Sequence, residues 1–563
     1  MSGQNTYNQS ANLLSRLNRK AFLLRAGIGL TAAIAGGYLF NRKRSAKTAH
    51  IKGSIIGANA KIGHLLRDKL SIPEPSTTEE IEYLIIGGGI SGLAAARELK
   101  RQGISSFKLI ELDNHTGGNS SKGKNEISAY PWGAHYLPIP DPSDSSIISF
   151  LTEIGCITGF SPEGLPIYNE YHLCFDPEER LYIRGQWQEG LIPNLGLSLE
   201  ERTEIERFFK LMEYYKTAKG IDGKYAFAIP LKDSSSDPTF INLDKISFIT
   251  FLEKEKFRSK HLLWYLNYAC KDDFGSTLNE TSAWAGIHYF ASRKGKAANA
   301  KNGDLLTWPE GNAWLAEQLR SQVADHISVN SVAFNVSVNN DSVLTSVYNT
   351  VDHKSKIIKA RKVLLATPQF VNQRLLHEVN SDRSTSVYEQ FSYAPWMIAN
   401  ITIHQLPVSK GIGLCWDNVM FESDSVGYVN ACHQHVNQNE NKKILTYYLP
   451  LTGKEPKIQR LVAFTRSYND WVDIVCKDLE NSHPGITEFI ETVDIWIWGH
   501  GMVRPNPGFI WGEAKRMASQ PINDKVFFAH TDLSGISIFE EAFHQGIAAA
   551  KSMTSTETHN GNS

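Results

Sequence analysis

Residues 83–111, YLIIGGGISGLAAARELKRQGISSFKLIE, constrain this chain more than any other stretch, because they prescribe a strand, a tight turn, a helix and a second strand in immediate succession. Tyr83 to Ile86 is a short apolar run suited to a strand buried on both faces of a parallel sheet, and Gly87-x-Gly89-x-x-Gly92 follows at once. Gly87 permits the turn, Gly89 lets the backbone of the following Ile90 and Ser91 approach a pyrophosphate, and Gly92 lets the helix pack closely on the strand. Leu93, Ala96 and Leu99 form one helix face, with Arg97, Lys100 and Arg101 expected towards water and Gly103 as the stop. The helix N-terminus offers free N–H groups to phosphate. Phe107 to Leu112 reads as the second strand. Near its end Glu111, nineteen residues after Gly92, can accept hydrogen bonds from both ribose hydroxyls and repel a 2′-phosphate. With 42 glycines in 563 residues, a bare GxGxxG arises by chance, but here strand, helix, second strand and acid fall in register. The unit predicts a Rossmann-like α/β sheet binding a dinucleotide, and it does not separate NAD from FAD.

The next residues make that separation. Gly117-Gly118-Asn119 lies just beyond the ribose acid, and Trp132-Gly133-Ala134-His135-Tyr136 follows a short polar connection. This pattern resembles the FAD-containing amine oxidase and phytoene desaturase superfamily. The resemblance implies that Gly117 and Gly118 run past the pyrophosphate and that Gly133 to Tyr136 meet the isoalloxazine ring. The family usually has Arg after the paired glycines. Here Asn119 is expected to donate its amide to a phosphate oxygen, with Lys122 or Lys124 supplying charge. Trp308-Pro309-Glu310-Gly311-Asn312, followed by Leu315 and Leu319, resembles the family's turn and helix leading back to the cofactor domain. Ile327 to Val332 resembles the strand whose backbone, near Val332, faces adenine, and Lys362 to Pro368 resembles the strand ending in A-T-P. Val526 to Asp532 is similar to the strand whose acid, here Asp532, holds the ribityl chain. Ser537 to Ala542, with Gly546, resembles the helix start whose N–H groups, at Ile538 and Phe539, face the flavin pyrimidine edge. His530 and Glu541 stand where the family has glycine and are expected to crowd the flavin.

This order implies a discontinuous FAD-binding domain at 81–145, 301–394 and 521–553, an α+β substrate domain at 146–300 and 395–520, and a disordered tail at 554–563. A hydrophobic content of 42% and a charged content of 21% suit a large folded enzyme. The net charge of −1 gives no general attraction to nucleic acid. Six widely spaced cysteines without a CxxC argue against an iron–sulfur cluster or structural zinc and read as buried thiols, and no metal-ligand spacing is seen.

The first 45 residues differ. Arg16, Arg19 and Lys20 precede an uncharged run at 26–40, AGIGLTAAIAGGYLF, with Ala33-Ile34-Ala35 as a cleavage-like site. This reads as a bacterial export signal, twin-arginine-like with Lys20 in place of the second Arg, placing the protein in the periplasm. An uncleaved inner-membrane anchor followed by Asn41-Arg42-Lys43-Arg44 is the competing reading, and a cytoplasmic protein with an amphipathic N-terminal helix is the third. Residues 46–80, with Pro73 and Pro75, read as a tether.

The substrate side should lie between the cofactor segments. Ser198 with Glu201 reads as a capping box opening a helix that buries Ile205, Phe208, Phe209, Met212 and Tyr215 and ends near Gly220. Further helices are expected across 246–271 and 279–292. Residues 395–515 read as mixed strands and turns, with strands at 398–403 and 443–449. Aromatics are dense, among them Trp264, Tyr268, Trp284, Trp396, Trp416, Trp496 and Trp498. They can wall off water and hold a C–H over a flavin, though each taken singly reads as ordinary core. His135 is the candidate residue beside the flavin and His500 a second, while Lys294 and Lys296 read as a basic loop. The chemistry implied is hydride transfer from a small-molecule substrate to FAD, amine-oxidase-like, with oxygen or quinone as the electron acceptor. A desaturase or protoporphyrinogen-oxidase-like reaction on an extended hydrophobic substrate is the alternative, and a non-catalytic flavin-binding assembly partner is a third possibility.

Overall fold

Strands that are apolar on both faces need cover on both faces, and this shapes the sheet that begins at the glycine turn. The computed structural model describes residues 47–57, 59–68, 72–301, 303–377, 379, 385–435 and 441–555. The signal or anchor expected over residues 1–45, and residues 556–563 of the tail expected at 554–563, lie outside the described residues, while Thr554 closes the last helix. Numbered along the chain, the strands of this sheet are β1 (Thr77–Ile86), β2 (Phe107–Ile110), β3 (Ile327–Ser328), β4 (Ser331–Val338), β5 (Val343–Asn349), β6 (Ser355–Leu365) and β7 (Val526–Phe528). β3, β2, β1, β6 and β7 run parallel in that order, and β4, β5 and β6 form an antiparallel meander. β6 belongs to both halves: Ser355 to Ala360 pair with β5, and Val363 to Leu365 pair with β7. The one strand expected over 327–332 is therefore two. Asn330 takes φ 54° between them, and this break turns the chain from the parallel sheet into the meander.

The helix after the turn, α1 (Ile90–Arg101), is covered more fully than its sequence suggests. α2 (Phe539–Thr554) and the helix Ala313–Gln322 both pack on it. Arg97, expected in water, is 2% exposed. Its guanidinium donates to Gln322 Oε1 at 3.0 Å and pairs with Glu153. A buried cation with two partners is tolerable where a lone one is not.

The second sheet runs in the order 490–503, 393–403, 443–450, 428–430, 417–420, 179–183, 186–189. Its two best sequence candidates pair with each other, Ile398 opposite Tyr448 and Ile403 opposite Lys443. The stretch 395–515 also holds two helices, Pro456–Thr465 and Tyr468–Ser482. On the helical side, the capping box closes as expected, with both Ser198–Glu201 hydrogen bonds at 3.1 Å, and the helix Leu199–Thr217 buries Ile205, Phe208 and Met212. The helix expected across 246–271 is two, Phe248–Lys254 and Lys260–Phe274. Lys256 at φ 60° breaks them, and the Ser259 side chain caps the second. The segment read as a tether is partly structured: Lys52 and Ile55 bridge to Thr492 and Ile495, and Ala60–Asp68 is helical. All six cysteines are buried and none forms a disulfide.

A Cβ on Gly546 would lie 2.1 Å from the Ser91 carbonyl oxygen, so α2 and α1 touch backbone to backbone there. In an open helix Gly→Ala gains stability. Here Gly546→Ala is expected to lose about 1–3 kcal/mol through overpacking. A denaturant midpoint that stays level or rises would contradict the close approach.

Candidate active site

The first glycine turn and the paired glycines close on each other across the end of β1. The Gly87 amide donates to the Ile110 carbonyl at 2.9 Å and the Gly117 amide to the Gly88 carbonyl at 2.8 Å. Gly87 adopts φ 109°, and a Cβ on Gly92 would lie 1.9 Å from the Gly87 oxygen. Gly89 is different: it has φ −70°, and nothing lies within 4 Å of where its Cβ would be. The α1 N-terminus also has no side-chain cap, so the amides of its first turn, among them those of Ile90 and Ser91, are left to face this open space. Glu111 stands beside it, accepting from the Gly88 amide at 2.6 Å and the Asp113 amide at 2.9 Å. Burial pushes its carboxyl up from the ordinary range, against those two donors. Val332 is buried at the start of β4, next to Ser331, whose amide donates to the Glu111 carbonyl at 2.8 Å.

Asn119 departs from expectation. Its amide donates to the Gly501 carbonyl, tying the paired-glycine segment to the strand 490–503 rather than pointing at a phosphate. Lys122 faces Glu310 at 3.9 Å, and Lys124 is exposed. The expected substitute cations are therefore turned elsewhere, and backbone amides are the phosphate donors that remain.

Gly133 to Tyr136 line a cavity of about 150 Å³ together with Asn119, Trp396, Tyr448, Trp498 and the segment Ser537 to Glu540. The aromatic walls are pinned by hydrogen bonds. Tyr448 Oη donates to the Gly133 carbonyl at 3.0 Å and Trp498 Nε1 to the Trp132 carbonyl at 2.5 Å. His135 packs against Tyr448, ring centres 4.5 Å apart, and burial pushes its imidazole down to about 4, so it is neutral at physiological pH. α2 starts at the cavity with Ile538 as its N-cap and no side-chain cap, and Phe539 lies in its first turn. The unsatisfied N–H groups and the positive end of the dipole thus face the space, as the resemblance implied for Ile538 and Phe539.

One wall was not anticipated. Asp272, Asp273 and Glu540 line the same cavity with a single cation, Arg293. Arg293 pairs with Asp273 at 3.0 Å, and Tyr136 Oη lies 3.5 Å from the same carboxylate. Burial, then the neighbouring Asp273, push the Asp272 carboxyl up to about 7 against the pull of Arg293. Burial likewise raises Glu540 to about 7. Behind Asp272, Asp417 is raised well above its ordinary value by burial and by Asp272 and Glu179. A signal for this wall does exist in the sequence. Asp272 and Asp273 sit in the last turn of helix Lys260–Phe274, where the dipole disfavours anions.

Other expected residues lie outside the cavity lining. His500 is exposed and stacks on Phe370, ring centres 4.2 Å apart, while its neighbours Gly501 and Met502 face the cavity. The catalytic role expected for it does not fit this placement. Asp532 is fully buried, accepting from the Gln369 amide at 2.8 Å and Tyr393 Oη at 2.6 Å, so it clamps β7 to the substrate sheet. Neither replaced glycine crowds the cavity. Glu541 turns away to accept from the Leu231 amide at 2.5 Å, and His530 Nδ1 lies 3.1 Å from the Asp532 amide. Lys294 is no free basic loop, since it donates to the Ala291 carbonyl at 2.8 Å and to Phe227.

Known proteins share this fold. A family profile described as NAD(P)-binding Rossmann-like domain matches residues 85–154. A flavin-containing amine oxidase of Oncorhynchus mykiss is 22% identical over 305 residues, covering 52% of this chain and 51% of that protein. The oxidoreductase PigB of Serratia sp. (strain ATCC 39006) is 23% identical over 556 residues, 86% of this chain and 78% of its own. A putrescine oxidase solved with putrescine superposes with TM-score 0.62 at 15% identity, over 85% of this chain and all of the other. The chain has the fold of the flavin-containing amine oxidases. FAD is the cofactor this cradle fits: the open side of Gly89 and the uncapped α1 amides suit the pyrophosphate, Glu111 the ribose, and the uncapped start of α2 the electron-rich end of the flavin ring.

Because its Cβ meets nothing, Gly89→Ala is expected to leave the thermal midpoint of the flavin-free protein within about 1 °C, since strain-free surface changes shift stability little. The same methyl group intrudes on the pyrophosphate, so the flavin absorbance of the purified variant is expected to fall to a small fraction of wild type. For Asp272, the folded carboxyl is raised far above its unfolded value. It therefore binds a proton more tightly in the fold, and the stability this gives is lost as pH rises from about 4 towards 7. Asp272→Asn should accordingly stabilise the flavin-free protein at pH 8 more than at pH 5. Equal midpoint shifts at both pH values would refute the burial of this charge.

Proposed function

We propose that this protein is an FAD-dependent oxidoreductase that removes hydride from the carbon beside the nitrogen of a small amine. The observation that carries this reading is the acid wall. Three carboxyl groups with one arginine face an aromatic cavity at the start of α2, and such a wall attracts a cation and repels an anion. FAD, when bound, supplies the hydride acceptor. The chain supplies the rest. The Asp272 carboxylate draws in an ammonium group and takes its proton, leaving the free amine, the form that can be oxidised. Held near 7, this carboxyl can accept that proton and release it again at neutral pH. Tyr448, Trp396 and Trp498 exclude water and fix the orientation of the substrate C–H. The N–H groups at Ile538 and Phe539 favour negative charge at that edge of the cavity. His135, neutral above about pH 4, adds no positive charge that would oppose an incoming ammonium.

The cavity also weighs against an extended hydrophobic substrate. A second cavity adjoins the first, sharing Pro138, Arg293 and Glu540 with it. It mixes Ile139, Ile147 and Ile229 with the charged or polar Asp141, Asp233, Lys294 and His544, and those charged groups disfavour the passage of a polyene or lipid chain.

The test is anaerobic titration of the purified flavoprotein with a panel of primary, secondary and di-amines, followed at the flavin band. Bleaching by an amine is expected, with kcat/KM rising through an apparent pKa near 7 as the acid wall ionises. Asp272→Asn should lower kcat/KM about 100–10,000-fold, in line with loss of a positioned acid–base group, and remove that acidic limb. Retained flavin that no amine bleaches would sink the amine reading. Reoxidation of the reduced protein by oxygen or by a quinone then identifies the electron acceptor.

A further inference from the structure

The face where residues 52–57 join the substrate sheet concentrates exposed apolar side chains that the cavity does not explain. Helix Pro456–Thr465 packs on the strands Tyr393–Ile403 and Ile490–Val503, burying Pro456 and Ala463. It turns Ile458, Leu461 and Phe464 outwards, 51%, 67% and 49% exposed. At three-residue spacing they form one stripe. Alongside, Lys52 and Ile55 pair with the outer edge of the strand 490–503. Tyr468, just beyond the helix, places its Oη 2.8 Å from the Lys52 carbonyl and 2.9 Å from that of Val493, joining segment and helix in one surface. Ile55 and Ile56 add two more side chains, 41% and 51% exposed. Five of the fifteen large hydrophobics that are exposed among the described residues therefore gather here, which is more than scattered surface apolarity requires.

Charge and chain connection say what covers this face. Residues 454–466 carry Lys454, Lys457, Arg460 and Arg466 against the single acid Glu455. Arg460 is engaged by the carbonyls of Tyr393 and Gly499, while Lys454 and Lys457 are exposed beside the apolar stripe. The apolar run at 26–40, with Arg19, Lys20 and Arg25 near its start and Arg42, Lys43 and Arg44 after it, ends twelve residues before Lys52. The eleven intervening residues reach at most about 40 Å. Folding that run back onto the helix would bring basic flanks against Lys454 and Lys457. Pairing with a second copy would oppose the same lysines. A bilayer whose headgroups carry negative charge satisfies both the stripe and its basic rim. We propose that this face rests on an anionic lipid surface, with Leu461 and Phe464 seated at headgroup depth and Lys454 and Lys457 against the phosphates. The inference stands apart from the oxidase reading and fails or succeeds without it.

The test uses the full chain with Leu461→Cys carrying an environment-sensitive nitrobenzoxadiazole label. The six native thiols are all buried, so labelling is confined to the new site. Val408→Cys, at a position 97% exposed in another loop, serves as the control. Vesicles of phosphatidylglycerol and phosphatidylethanolamine should brighten the label at position 461 about several-fold, with a blue shift, as it leaves water for the interface. Phosphatidylcholine vesicles should do so far less, and the control should not respond. Flotation with vesicles without any change at position 461 would mean that the N-terminal run alone holds the membrane, and overturns the proposal. So does a label already blue-shifted before vesicles are added, which would show the face covered by residues 1–46 or by a second copy. Failure to float with anionic vesicles overturns it equally.

Discussion

The carbonyl oxygen of Gly87 sits where a side chain on Gly92 would have to be, 1.9 Å from its Cβ position, and Gly87 in turn stands 2.6 Å from the Ala366 oxygen by the same measure. Backbone therefore packs on backbone at the carboxyl ends of β1 and β6, and the same close approach recurs where Gly546 of α2 meets Ser91 of α1. Glycine at these positions is a steric requirement. It draws together segments hundreds of residues apart and leaves Gly89, the one glycine of the motif with empty space beside it, at the centre of the cradle. The substrate sheet, in turn, is held to the cofactor sheet through Asp532, whose carboxylate takes the Gln369 amide and the Tyr393 hydroxyl.

The acid wall illustrates the opposite economy. Asp272, Asp273 and Glu540 are carboxyl groups removed from water, and one arginine cannot neutralise three of them. Burial raises their proton affinity, and for Asp272 and Glu540 the neighbouring carboxyl groups add to the rise. Carboxyl groups so perturbed, gathered in one cavity, mark a functional site. The aromatic rings that surround it sharpen the effect by excluding water that would screen the charges.

Much of the fold was legible where its signals are local. The glycine motif, Glu111, the Ser198 capping box and the strands at 398–403 and 443–449 all rest on neighbours in sequence, and each takes its expected conformation. What escaped was set by partners far along the chain. Arg97 reads as a solvent residue until helix Ala313–Gln322 covers it. Asn119 reads as a phosphate donor until Gly501, 382 positions away, claims its amide. His500 follows the family-like order, yet it sits where the register against strand 393–403 breaks, between the pairs Ala394–Met502 and Trp396–Trp498, and it stacks on Phe370 while Gly501 and Met502 face inwards. The acid wall was missed although two aspartates against a helix dipole break a local rule, and such breaks tend to mark functional sites.

β6 binds the early and late parts of the chain into one object. Its first half pairs with the meander strand β5, made just before it, but its last residues, Val363 to Leu365, find their outer partner only in Val526 to Phe528. During synthesis a chain folds from its N-terminal side, so the glycine turn and Glu111 emerge early, while the far edge of their sheet and the whole of α2 are still unmade. The flavin edge of the cavity thus forms last. A growing chain can present the nucleotide-binding motif early, but the cavity is complete only once Val526 to Thr554 have been made.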